Sequence, residues 1–563
     1  MSLVTLSIIL GIVFYALEII HGKAKTLQII LLISFLVLGI GWVGIRNPFI
    51  LWPARFGTIL YLIITFYKFR PKKKLLFAFP KSWCLVVLGI ISAAIPKQII
   101  FYLFAAGYDN SSHVGFLYRT WKIGSYEYGL QGNGKFIPAY INLANGYPSL
   151  QMESWASILR VLNLSIANSE ALLRFFFFFS VLSLILLLYV LFSYLNRNSY
   201  QNMLIKVGIA GFVLFSSLSS IFWSGFPPTI WGITFSLLAL KTVMFEKAKL
   251  TNQIMLASIS AVVVLYSYQL FTPAFLIIYA FLIFKFVKHR RRAREYILLF
   301  ASFVLFAIPT YLLLRVSKAV KSYVYAQGGI VHPNVVMVTI LGSLAVVGFM
   351  FTFKEIARDT LIIMAVATNS LLSIYLLATG IISKRGTYYP TKSLYLSIFL
   401  ILAYLVWLVG NNEFPFSDKQ KKLTAGLLIF LVIFGISPFF SQGHGVWYGS
   451  NTDLIKSEKD LRSGSYAPFP VGCLKSVFDY AAKETNFDQQ SNLLAIKVDS
   501  GQSDLVSRWA NSLNGRIDND VLDLGISIGG NLNFEYAVQE FRKTHPSENV
   551  ISQDSLSGCI RSE

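Results

Sequence analysis

The sequence predicts a polytopic α-helical membrane protein of about 14 spans, with a small C-terminal α/β extracytoplasmic domain. Three observations predict it. The 563 residues are 55% hydrophobic and only 13% charged, with a mean hydropathy of +0.61, outside the range of a water-soluble globular chain. Apolar runs of about 16 to 24 residues recur between short charged connectors, the length that a hydrocarbon layer about 30 Å thick asks of a helix. After Pro438 the composition turns polar and stays so.

Spans are expected near 3–20, 26–44, 50–67, 82–104, 172–195, 207–222, 227–245, 254–269, 272–287, 297–314, 334–352, 360–381, 393–409 and 423–440. The first run starts at Leu3 with no basic region before it and no small-residue cleavage site after it, so it reads as a span and not as a signal peptide. Residues 1–81 form a set of N-terminal extra spans, 82–443 a transmembrane core with a large outer loop at 105–171, and 444–563 a soluble domain.

Orientation follows from the basic connectors, because Lys and Arg resist translocation. KFRPKKKLLFAFPK (68–81) and KHRRRARE (288–295) fall on the same side, which is the cytoplasmic one. An even number of spans then puts both termini and the 105–171 loop outside, in a multi-pass plasma-membrane protein. The chain's 49 basic and 27 acidic residues suggest a polyanion binder only until they are divided by segment. From His444 onward there are 11 basic and 16 acidic residues, leaving 38 and 11 for the membrane unit. That excess is positive-inside topology, and no nucleic-acid partner is expected.

Those 11 acids narrow the chemistry. Six lie in cytoplasmic connectors, Glu18 lies near the inner end of the first span, and only Asp109, Glu127, Glu153 and Glu170 lie in the outer loop. Asp109 follows the fourth span closely, at the membrane boundary. In DNSSHVGFLYRTW, Asp109, Asn110 or Ser111 can cap an interfacial helix whose Val114, Leu117 and Trp121 form an apolar stripe. His113, four residues on, can converge with Asp109, or Asp109 is a cap alone and His113 a headgroup-level residue. Tyr147–Pro148 starts a second helix, on which Glu153 is either a facing carboxylate or part of a solvated face. Glu127 reads as a loop residue, and Glu170 as a residue suited to the first turn of a span.

Basic residues that stay on the outer side need a reason. LLLRVSKAVKSYVYAQGGIVHPN holds Arg315, Lys318, Lys321 and His332; SKRGTYYPTKS holds Lys384, Arg385, Tyr388, Tyr389 and Lys392. Such clusters suit a lipid-linked phosphate, or they anchor the protein to anionic headgroups.

The loop acid in GYDNSSH, the looser echoes GYPSLQMES and TYYPTKS, the many spans and the outer C-terminal domain together resemble the GT-C superfamily of polyprenyl-phosphate-sugar-dependent glycosyltransferases, which includes arabinofuranosyl- and mannosyltransferases. The resemblance implies a membrane glycosyltransferase that moves a sugar from a polyprenyl-phosphate donor to a cell-envelope glycan, lipid or protein acceptor. It implies Asp109 as catalytic base, with His113 and Glu153 as candidate catalytic partners. Arg315, Lys318, Lys321, Lys384, Arg385, Tyr388, Tyr389 and Lys392 would hold the donor phosphate. A divalent metal, Mg or Mn, is the one cofactor it allows, although Asn110 stands where a second acid would help to hold it. A polysaccharide polymerase or ligase, using His113 or Arg315, is the alternative. A transporter fits less well, because acids within the spans are almost absent.

In the C-terminal domain, helices are expected at 472–485, 503–514 and 534–544, and strands at LLAIKV (493–498), GISI (525–528) and NVIS (549–552). Cys473 and Cys559 bracket the domain and can form a disulfide outside the cytoplasm, or remain two thiols.

Overall fold

The computed structural model describes residues 2–43, 48–68, 80–97, 99–100, 108–123, 150–195, 206–211, 213, 227–244, 250–288, 293–316, 360–382, 388–410, 476, 480, 492–497, 503–513, 524–525, 527–528 and 533–553. The helices are α1 (Ser2–Val43), α2 (Pro48–Lys68), α3 (Pro80–Ala94), α4 (Tyr108–Ile123), α5 (Leu150–Val161), α6 (Ser169–Ser193), α7 (Pro227–Met244), α8 (Leu250–Ser267), α9 (Thr272–Val287), α10 (Ala293–Val316), α11 (Thr360–Ile382) and α12 (Tyr388–Gly410). A short 3-10 turn, Gln269–Phe271, joins α8 to α9. The C-terminal region adds β1 (Asn492–Ile496), α13 (Ser503–Leu513), α14 (Phe534–Thr544) and β2 (Asn549–Gln553).

Among the described residues, four helices are long and apolar enough to cross a membrane: Ser169–Ser193, Leu250–Ser267, Gln269–Val287 and Leu361–Thr379. Shorter apolar stretches accompany them, such as Leu3–Glu18, Lys25–Leu38 and Lys392–Trp407. The apolar surface is what such a bundle presents to lipid. On α2, Trp52, Phe56, Ile59 and Ile63 are exposed and recur at helical spacing, and α10 exposes Ile297, Phe300, Ile308 and Tyr311.

Several elements depart from the simplest reading of the apolar runs. The first two expected spans are halves of α1, joined at Gly22, whose φ of 72° and ψ of 164° break the helix there. Only glycine holds that conformation without a steric penalty. The run expected at 82–104 is interrupted where α3 ends before Pro96, because proline excludes helical geometry from the residue before it. Arg174 of α6 seals this break. Its Nη1 donates to the carbonyls of Ser92, Ala93 and Ile95 at 2.9, 3.0 and 2.9 Å, while its Nη2 lies 2.9 Å from Glu170 Oε1. Glu170 is therefore an ion-pair anchor as well as a first-turn acid. The expected spans at 334–352 and 423–440 lie outside the described residues.

The two strands pair in parallel with Asn492 opposite Asn549, and helices lie between them in sequence, as an α/β unit requires. The opposite edge of β1 is taken by side chains of α13. Asn511 Oδ1 accepts from Leu494 N at 2.9 Å, Asn511 Nδ2 donates to Leu494 O at 2.8 Å, and Ser507 Oγ accepts from Ile496 N at 2.8 Å. GISI is not a strand: residues 524, 525, 527 and 528 are helical. Leu524 and Ile528, four apart, bury one helical face against Phe534, Val538 and Phe541 of α14. Cys473 and Cys559 lie outside the described residues.

Candidate functional site

The helices within 105–171 are covered by protein on more than one face. On α4 the described side chains from Asn110 through Thr120 are buried, apart from a half-buried Ser112, on every side of the helix and not only on the Val114–Leu117 stripe. The reason is packing: α5, α6 and α13 all lie against α4. The helix begins at Tyr108, so Asp109, Asn110 and Ser111 fall in its first turn and none of them precedes it as a cap. The side chain of Asp109 lies outside the described residues. His113 is 1% exposed, so the headgroup-level reading is withdrawn.

The C-terminal ends of α4 and α5 are locked together. Arg160 donates through Nε to Trp121 O at 2.6 Å and through Nη2 to Lys122 O at 2.9 Å, with its guanidinium 4.8 Å from the Trp121 ring centroid. These carbonyls are among the orphan acceptors that every helix end leaves. Trp121 Nε1 returns a bond to Leu164 O at 3.2 Å, and Arg55 of α2 donates to Arg160 O at 2.9 Å and Asn163 Oδ1 at 3.1 Å. Asn163 takes the left-handed conformation, φ 55°, that ends α5.

With their C-terminal ends joined, the two packed helices run in the same direction. Glu153 lies seven residues before Arg160, two turns back on the same face, and His113 lies eight before Trp121. At a rise of about 1.5 Å per residue the two sit about 10 and 12 Å back along their own helices.

Glu153 is the least expected group in this pair of helices. It is 2% exposed, and neither carboxylate oxygen has a hydrogen-bond partner among the described residues. Burial pushes its pKa well above the usual carboxylate range, because the charged form loses its hydration without gaining a partner. The solvated-face reading of Glu153 is thereby overturned. Burial thus favours its protonated form, which is able to donate a hydrogen bond.

No group of three His, Cys, Asp or Glu side chains gathers among the described residues, and the side chain of Asp109, on which the expected metal would rest, lies outside them.

Beside this pair, an aromatic path leads into the bundle. Trp155 of α5 stacks on Phe179 of α6 at 5.3 Å and meets Trp231 of α7 edge-on at 6.2 Å. On the neighbouring residue Gly232, an added Cβ would collide with Tyr268 and with the Phe271 ring. The ammonium of Lys392 then lies 5.8 Å from the Tyr268 ring centroid. Lys392 is thus not a loop residue. It is the fifth residue of α12 and is 4% exposed.

The side chains of the remaining candidates lie outside the described residues. Arg315 lies in the last turn of α10 and Tyr388 and Tyr389 in the first turn of α12, but their side chains are outside the described residues. Lys318, Lys321, His332, Lys384, Arg385 and Glu127 lie wholly outside them. The sequence reading missed Arg160, Trp155, Trp231, Tyr268 and the hydroxyls of Thr229 and Thr272. A search guided by charge passes over the outer turns at 223–226 and 270–271, which hold no basic residue.

No family model, no curated protein and no solved structure matches the chain.

Proposed function

We propose that the protein is a membrane glycosyltransferase, moving a sugar from a polyprenyl-phosphate donor to a cell-envelope acceptor, with the α4–α5 pair as its catalytic element. One observation supports this reading above the others: Glu153, a buried carboxyl without a hydrogen-bond partner among the described residues, on a helix packed against the one that carries His113. A carboxyl held neutral in an apolar setting is costly, and proteins place such groups where proton chemistry uses them. On this reading the chain has about 14 spans, with the loop helices and the C-terminal α/β region on the outer face of the plasma membrane.

In the transfer, the acceptor hydroxyl attacks the anomeric carbon as the bond from that carbon to the phosphate oxygen breaks. The bonding pair leaves with the lipid phosphate, and the hydroxyl proton passes to the Asp109 carboxylate. Glu153, protonated, donates a hydrogen bond to developing negative charge, and Lys392 answers the charge gained by the departing phosphate.

The test is transfer of labelled sugar from a panel of polyprenyl-phosphate donors by the purified protein in lipid nanodiscs. Asp109→Asn is expected to slow transfer by about 10²-fold to 10⁴-fold. Full turnover in that variant would remove Asp109 as base. The burial of His113 favours a second reading, a polysaccharide polymerase or ligase with His113 as base. Transfer confined to diphosphate-linked donors and lost in His113→Ala would select it.

A further inference from the structure

Helix α5 carries buried polar groups on two different sides. Glu153 shares a face with Arg160, which bonds the end of α4. Gln151 lies about 200° round the helix from Glu153 and shares its face with Trp155, four residues on. That second side is turned toward α6 and α7. Trp155 stacks on Phe179 at 5.3 Å, meets Phe176 edge-on at 5.9 Å and meets Trp231 of α7 edge-on at 6.2 Å.

Gln151, Trp155 and Trp231 are 0%, 0% and 6% exposed. Gln151 Oε1 and Nε2 and both indole nitrogens are buried without a hydrogen-bond partner among the described residues. Burying an amide or indole N–H costs its hydration, and folded proteins nearly always return a hydrogen bond in exchange. Three neighbouring side chains that receive none leave a place for an added group.

The chemistry of that group follows from the atoms that wait for it. The amide offers two N–H donors and one acceptor oxygen, and each indole offers one donor. A hydroxyl accepts from the N–H groups and donates to the amide oxygen. A carboxylate or phosphate only accepts, and it brings a charge to three side chains that are all neutral. Water has the right polarity but gains nothing from the rings around it, whereas a ligand with an apolar body and a few polar groups uses both. A sugar ring is such a ligand, with hydroxyls at its edge and C–H groups on its faces.

We propose that Gln151, Trp155 and Trp231 form a subsite for one uncharged glycosyl ring, bearing neither a carboxylate nor an amino group. The rings close on one another in the empty subsite, so a sugar enters by turning the Trp155 indole aside. The inference deepens the transferase reading and rests on it only for which substrate, donor or acceptor, brings the ring.

The experiment is saturation-transfer NMR of the full-length protein in lipid nanodiscs, titrated with the methyl glycosides of glucose, mannose, galactose and arabinose and with those of glucuronic acid and glucosamine. At least one of the four uncharged glycosides is expected to bind, and the two charged ones to give no transfer. Silence from all six, or equal binding of charged and uncharged rings, overturns the proposal. Gln151→Leu should weaken binding about tenfold, the scale of one or two neutral hydrogen bonds, while leaving the melting temperature of the unliganded protein at or above the wild-type value. A lower melting temperature would show that the amide is bonded within the protein, and that overturns the proposal as well. Trp231→Phe keeps the ring and loses the N–H, and should weaken binding about fivefold. Trp407→Phe is the control, since Trp407 is also buried and stacks on Tyr404 at 6.3 Å, in α12. Equal losses in the two tryptophan variants count against the subsite. No turnover enters the measurement, so an inactive Asp109 leaves the result intact, and sugar transfer by a protein that binds none of the glycosides would overturn the subsite alone.

Discussion

Replacing Glu153 by methionine should make the protein more stable, and increasingly so as pH rises. The native carboxyl is buried with both oxygens partnerless, and an unsatisfied buried polar group costs about 1–3 kcal/mol. Methionine fills a similar volume without that penalty. The pH dependence follows from linkage. The folded-state pKa is raised above the ordinary carboxylate value of 4.5, so between that value and the raised one the folded state holds a proton that the unfolded state has released. Folding stability then falls as pH rises through this window, by about 1.4 kcal/mol per pH unit for one group, and levels off above the folded pKa. Below the window both states are protonated and the term vanishes. Thermal unfolding of wild type and Glu153→Met in the same nanodiscs, at pH steps upward from about 5, reads the difference directly. Titrating groups common to both proteins and remote from residue 153 cancel. Parallel melting curves across that range, or a methionine variant less stable throughout, would refute both the burial and the neutral carboxyl.

Arg174→Ala should destabilise the bundle by about 3 kcal/mol or more, since it strips three carbonyls at the end of α3 of a charged donor and leaves Glu170 without its closest partner. A melting temperature equal to wild type would count against the cap. Gly22→Ala should cost about 1–2 kcal/mol, because φ at this position is 72°, and a neutral result would mean that α1 is not broken there. Asn511→Ala should cost about 1–3 kcal/mol by exposing the N–H and carbonyl of Leu494 on the edge of β1. Faster amide exchange at Leu494 is the signature to seek, and unchanged protection would count against this pairing.

Sequence periodicity located most helices well. The helix at 534–544 matches α14 residue for residue, 272–287 matches α9, and LLAIKV and NVIS overlap the two paired strands, each falling one residue short at one end. Long apolar runs and capped amphipathic segments carry their structure locally, because the backbone must satisfy its own hydrogen bonds wherever lipid replaces water. GISI misled because a four-residue apolar run has no period of its own. Leu524 and Ile528 show their helical spacing only once α14 is present to receive them.

The candidate site was legible by residue type and not by environment. Confinement of the outer acids to one loop singled out Asp109 and Glu153 from composition alone, and the position of His113 on the same helix as Asp109 followed from spacing. Whether Glu153 meets water or protein depends on how many neighbours close over α5, and no pattern within twelve residues records the arrival of α1, α4 and α8. The same holds for α4. Its stripe of Val114 and Leu117 marks one buried face, while α13, almost four hundred residues later, covers another. The chain by itself determined an apolar helical architecture, its basic connectors and a short roster of outer carboxyls, since these follow from composition and local period. The tertiary structure alone decided that Glu153 is dry, that Lys392 stands over Tyr268, and that Arg174 seals a broken helix. The burial of Glu153, the place of Lys392 over Tyr268 and the cap by Arg174 each depend on contacts between segments far apart in sequence, where burial and electrostatics are properties of the assembled neighbours and not of any one residue.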